Sequence, residues 1–135
     1  DLAATLKEKL APCTICHVGG DRAATDWHTV LEDAGFEVEF TQAYTTQDLP
    51  ELPADALPPL RQNKVDAGVV FSPAGARHVR NLLEQAGVDV QTINWFAISP
   101  DVARVFEDCP HVFSAERPDL PALAACVDQQ MKVKT

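Results

Sequence analysis

The sequence predicts an α/β fold, a mainly parallel sheet with flanking helices, from three observations. Short apolar runs rich in β-branched and aromatic residues alternate with longer stretches of helical period. Ser-Pro pairs follow two of those runs, at Ser72-Pro73 and Ser99-Pro100, where Ser caps a helix and Pro takes its first position. Gly35 and Gly87 close helical stretches, as the left-handed residue after a helix does.

Along the chain, 2–10 reads as a short helix with Leu2, Leu6 and Leu10 on one face, limited by Pro12. Residues 14–18 read as a strand, and Gly19-Gly20-Asp21-Arg22 as a tight loop after it. A helix over 23–34 carries Ala24, Trp27, Val30 and Leu31 at helical spacing. Residues 36–44 alternate Phe36, Val38 and Phe40 with Glu37, Glu39 and Thr41, the pattern of a half-buried strand. The stretch 45–59, with Pro50, Pro53, Pro58 and Pro59, reads as a connector holding at most a helical turn. A buried strand at 65–71 feeds a helix at 74–86, a strand at 95–98 feeds one at 101–107, and Val112-Phe113 leads through 116–119 into a C-terminal helix. No repeat of 20 to 50 residues is present, which sets solenoids and propellers aside.

The 135 residues suggest one core at most, and the 46% hydrophobic content excludes disorder as a description of the whole chain. With 20 Asp and Glu against 11 Lys and Arg, the net charge of −9 repels polyphosphates, so nucleic acid is not an expected partner. No apolar run reaches the roughly 20 residues of a membrane span, and residues 1–5 do not begin an export signal. The expectation is a cytoplasmic chain with no membrane partner. Cys13, Cys16, Cys109 and Cys126 are too few and too scattered for a disulfide scaffold and are expected to be reduced.

Cys13-Thr14-Ile15-Cys16-His17 matches the C-x-x-C-H pattern of covalent haem attachment. It lies inside a strand pattern, where successive side chains take opposite faces, and the simpler reading is two small apolar strand residues. Gly19 to Arg22 fits neither dinucleotide nor P-loop spacing, and divides evenly between a turn and an anion-cradling loop. Ser72-Pro73-Ala74-Gly75 and Ser99-Pro100-Asp101 stand at strand carboxyl ends, where α/β sheets bind ligands, although plain helix capping explains them as well. Ser72 lacks the G-x-S-x-G frame of a hydrolase nucleophile. His17, His28, His78 and His111 have no metal-ligand spacing, so no metal site is expected. Tyr44, the only tyrosine, has a phenol that can donate a proton to a leaving oxygen, or it is a strand-end aromatic.

Taken in order, these pieces resemble the uroporphyrinogen-III synthase family. The resemblance rests on 15–22, Ala43-Tyr44, 66–76, 96–103 and 114–123, and it covers nearly the whole chain, each segment being degenerate by itself. It implies a lyase without a cofactor that takes hydroxymethylbilane, removes water, inverts ring D through a spiro intermediate and closes the macrocycle. By position, Tyr44 matches the family's active-site tyrosine and would act as the general acid. Ser72, Ala74 and Gly75 match one substrate-facing loop, Ser99 and Asp101 another, with Gly20, Asp21 and Arg22 as further substrate-binding positions. Arg22, Arg77, Arg104 and Arg117 lie near helix starts that would hold the substrate's carboxylates.

Members of the family run to about twice this length, in two flavodoxin-like domains, so the chain resembles a C-terminal half. The resemblance divides it into 1–40, a βα segment of one domain, a linker or hinge at 41–53, and 54–135, an α/β segment of the other. It further implies either a fragment folded back on itself or a homodimer that exchanges its first forty or so residues. Two other readings stay open on sequence alone: a non-catalytic α/β ligand-binding module, and a c-type haem protein through Cys13, Cys16 and His17.

Overall fold

A computed structural model describes residues 1–132 and places their five strands in two parallel sheets, one of two strands and one of three. The chain divides into two compact units, Asp1–Asp48 and Leu49–Thr135. The expectation of one core at most is therefore corrected. Ala3, Leu31 and Phe36 close a small cluster of their own in the first unit, while the larger clusters belong to the second.

The first unit runs α1 (Leu2–Lys9), β1 (Thr14–Gly20), α2 (Asp26–Glu32) and β2 (Glu37–Tyr44). Asp1 caps α1 by accepting from the Ala3 N–H at 3.0 Å, and Lys7 and Lys9 sit in the last turn, where cations suit the helix dipole. Burial on α1 centres on Ala3, with Leu6 packed beside it, whereas Leu2 and Leu10 are exposed; the expected Leu2–Leu6–Leu10 face is wrong by one position. β1 pairs with β2 in parallel, with Ile15 beside Val38 and His17 beside Phe40. Pleating puts Ile15 and Val38 toward Leu31 and Trp27 of α2, and leaves Cys16 and Val18 on the other face, with Val18 62% exposed. β2 is consequently more exposed than its alternation suggests, because a two-stranded sheet covered on one side buries little.

The second unit contains α3 (Leu57–Arg61), β3 (Ala67–Val70), α4 (Pro73–Gln85), β4 (Asn94–Ala97), α5 (Pro100–Ala103), β5 (Val112–Ser114) and α6 (Leu120–Met131). Its strands lie in the order β3-β4-β5, all parallel, and α4 crosses over from β3 to β4. On one face Val70, Trp95 and Ala97 pack with Ala76 and Leu83 of α4 and with Val102 and Phe106. On the other, Phe96 and Ala115 pack with Leu123 of α6. Gly35 and Gly87 have φ of +88° and +72°, the left-handed conformation expected of them. The predicted helix at 101–107 is α5 followed by a 3-10 turn at Arg104–Phe106.

The Arg80 guanidinium ties α4 to the end of that turn. It donates to both carboxylate oxygens of Asp108 at 2.6 and 2.7 Å, to the Val105 carbonyl at 2.7 Å and to Glu84 at 2.8 Å, and lies 5.8 Å over the Phe106 ring. The hydrogen bond from Arg80 holds the Asp108 carboxyl down at about 2. A carboxylate with a folded pKa below its unfolded value stabilises above that unfolded value and loses the contribution as pH falls through the folded one. Asp108→Asn is therefore expected to lower Tm at neutral pH, with the gap to the parent narrowing from about pH 4 downward. Thermal melts from pH 7 to pH 2 check this, and a gap that stays constant would contradict it.

Candidate functional site

In the first unit, the parallel sheet brings three of the expected site residues and the tyrosine to one end. β1 runs on to Gly20, two residues beyond the expected strand, and a bulge after Gly19 sets Gly20 opposite Tyr44 instead of Ala43. The Tyr44 ring then lies flat against Gly20: a Cβ built there would come within 2.4 Å of ring carbon Cε2. Glycine is the residue that leaves room for it. The Asp21 N–H donates to the Tyr44 carbonyl at 3.1 Å, and the Thr46 N–H donates to Asp21 Oδ1 at 2.8 Å. Asp21 thus braces the turn that carries the tyrosine out of β2. Arg22 donates to Asp48 at 2.7 Å, which raises its pKa further. Tyr44 itself is 62% exposed, so its hydroxyl is accessible to a ligand.

In the second unit, Ser72 and Ser99 cap α4 and α5 directly after β3 and β4. Ser72 Oγ accepts from the Gly75 N–H at 3.1 Å, and the Ser72 carbonyl from Ala76. Ser99 makes no side-chain cap bond. Ser72 is therefore committed to its helix, while the Ser99 hydroxyl is left for another partner. Ala74 and Gly75 form the first turn of α4, and Asp101 in α5 pairs with Arg104 at 2.9 Å.

The arginines near these helix starts differ in how far they are engaged. Arg104 and Arg117 each hold an exposed carboxylate, Asp101 and Asp119, in pairs that contribute little and are easily displaced. Arg77 has no ion-pair or hydrogen-bond partner among the described residues. With Pro73, Asn81 and Arg104 it lines a groove of about 750 Å³ between α4 and α5, which Arg80, fully engaged by its clamp, also borders. Sequence reasoning missed Arg80 as a groove residue, because nothing local marks a contact to Asp108, 28 positions away.

The C-x-x-C-H run does not converge. Cys16 Sγ lies 3.7 Å from Thr41 Oγ1 on the open face of the first sheet. His17, one residue on, faces α2, with its Nδ1 2.8 Å from His28 Nε2 and its ring against Trp27 and Phe40. The histidines read as dispersed are thus paired at this point, a contact that no sequence spacing displayed. Among the described residues no three or more His, Cys, Asp or Glu gather as a metal site, and no helix is long and apolar enough to cross a membrane.

A family model described as uroporphyrinogen-III synthase HemD matches residues 1–125. Among solved structures, a uroporphyrinogen-III synthetase from Helicobacter pylori 26695 superposes with a TM-score of 0.61 at 13% sequence identity, over 99% of this chain and 60% of that one. The chain thus spans less than two thirds of that protein's length. No match was found among curated proteins.

Proposed function

The chain belongs to the uroporphyrinogen-III synthase family, and we propose that it takes part in converting hydroxymethylbilane to uroporphyrinogen III, as a lyase of tetrapyrrole biosynthesis working in the cytoplasm without a cofactor. One observation carries the assignment of roles: the only tyrosine stands at the carboxyl end of a parallel sheet, exposed, seated on Gly20 and braced by Asp21. In this reading the Tyr44 phenol gives its proton to the hydroxyl of the bilane's terminal ring. The C–O bond breaks, the electron pair leaves with oxygen as water, and a cationic pyrrole system remains.

That cation closes spontaneously to the uninverted type I ring, so the protein's task is to hold the chain in the bend that favours inversion, mainly by positioning. Ser99, Asp101, Ala74 and Gly75 would border the substrate at strand carboxyl ends, with Ser72 fixing the α4 turn rather than reaching out. Arg77 is the cation best placed for a carboxylate arm, since it has no competing partner among the described residues. Arg22 and Arg104 would exchange exposed acidic partners for substrate carboxylates, which keeps the local field favourable despite the net charge of −9.

Incubating the purified 135-residue chain with hydroxymethylbilane and resolving the two product isomers tests the proposal. Enrichment of type III over the spontaneous type I background is the expected result. Type I alone, at the rate of the buffer control, would defeat it.

A further inference from the structure

Tyr44 is the last residue of β2, and residues 45–49 continue as neither helix nor strand. Its side chain joins none of the core clusters, and its ring rests on Gly20. The direction in which the phenol projects is therefore set by the backbone on either side of position 44, where the sheet no longer orders the chain.

The chain leaving β1 holds that stretch at alternate residues. Gly20 pairs with Tyr44, Asp21 bonds to both Tyr44 and Thr46, and Arg22 bonds to Asp48. In a parallel ladder continued by one step, residue 21 would donate its N–H to the carbonyl of 44 and accept on its own carbonyl from the N–H of 46. The donor half is kept, at 3.1 Å. The acceptor half passes to the side chain: the Thr46 N–H donates to Asp21 Oδ1 at 2.8 Å. The backbone turns at this point, with the Ala23 N–H donating to the Gly20 carbonyl, and the carboxylate takes the place of the peptide oxygen. Asp21 thus grips the chain on both sides of Thr45. A bond from a backbone N–H to a carboxylate is stronger than a neutral one such as that from Gln42 Nε2 to Thr45 Oγ1 at 3.3 Å, and the Arg22 pair with Asp48 is an exposed one that holds little.

We propose that Asp21 is the positioning residue of Tyr44. It acts through the backbone at 44–46, keeping the ring seated on Gly20 and the hydroxyl aimed in one direction, and it is not a ligand of the substrate. The geometry of its acceptor matters, and its charge does not. The effect on turnover rests on the reaction proposed above; the seat of the ring does not.

Proton NMR of the labelled 135-residue chain tests the seat directly. The Gly20 α-protons lie against the Tyr44 ring and are expected upfield in the parent, with Tyr44→Leu fixing their position when no ring is present. Asp21→Ala should move them most of the way to that position. Asp21→Asn, which keeps the acceptor in place without the charge, should leave them unmoved, and Asp21→Glu, which keeps the charge but displaces the acceptor by a methylene, should fall between. Asp21 and Thr46 are exposed, so far-UV circular dichroism should hold; if Asp21→Ala does not fold, the order of Asn above Glu decides alone. With hydroxymethylbilane, Asp21→Ala should lower kcat about 10–10²-fold with KM within about twofold, and Asp21→Asn should restore it. Gly20 signals unmoved in Asp21→Ala, or Glu closer to the parent than Asn, would overturn the proposal. A raised KM at unchanged kcat in both Ala and Asn would also overturn it, making Asp21 a substrate ligand. A parent that yields type I alone removes the reaction and leaves the proton shifts to judge the seat.

Discussion

Tyr44→Phe is expected to lower the rate of type III formation by about 10²–10⁴-fold, the range that a positioned general acid contributes. The substitution removes the phenolic oxygen and keeps the ring that lies on Gly20, so the turn through Asp21 and Thr46 keeps its two backbone-anchored hydrogen bonds. Folding stability should hardly change, because the side chain is exposed and the hydroxyl makes no hydrogen bond among the described residues. The loss should fall on kcat with KM nearly unchanged, since the proton is needed only as the C–O bond breaks. Turnover within threefold or so of the parent would remove Tyr44 from the role of acid.

Phe106→Ala is expected to cost about 3–5 kcal/mol, the usual loss for a fully buried aromatic. Phe106 has no exposed surface and stacks on Trp95 with ring centroids 3.9 Å apart and planes 12° from parallel. Trp95 is itself held by the bond from its indole N–H to the Val90 carbonyl at 3.0 Å. The cavity would open beneath the Arg80 clamp, with stiff neighbours on every side, so little relaxation can offset it. Stabilities of this size range over 5–15 kcal/mol for whole domains, and the second unit would lose a large part of its share. Urea unfolding followed by tryptophan fluorescence checks this; a shift below about 1 kcal/mol would mean that the Trp95–Phe106 stack is not central to the core.

Local chemistry made much of the fold legible. Ser72-Pro73 and Ser99-Pro100 open helices, Gly35 and Gly87 close them, and the parallel sheets follow from strands that alternate with helices. What escaped depends on neighbours far away in sequence. Gly19 and Gly20 look like a loop until pairing with β2 draws them into β1, and Phe40, on the covered face beside His17, is still 41% exposed because the two-stranded sheet buries little. The expected helix at 23–34 starts only at Asp26, because the Ala23 N–H is turned back to the Gly20 carbonyl at 3.1 Å. The site was legible as to residue type, through Tyr44 and the two Ser-Pro pairs. It was not legible as to commitment: that Ser72 is spent on a cap and Ser99 is not, or that Arg80 is occupied and Arg77 is not, is settled by distances between elements.

The absence of a side chain at position 20 carries a consequence for how such chains can drift. An aromatic at 44 in its present position collides with any side chain at 20 while the bulge sets them opposite one another, so bulk at 20 has to turn that exposed ring aside. The two positions should therefore change in concert across descendants of this sequence, because a lineage that acquires bulk at 20 gives up the present seat of the ring at 44.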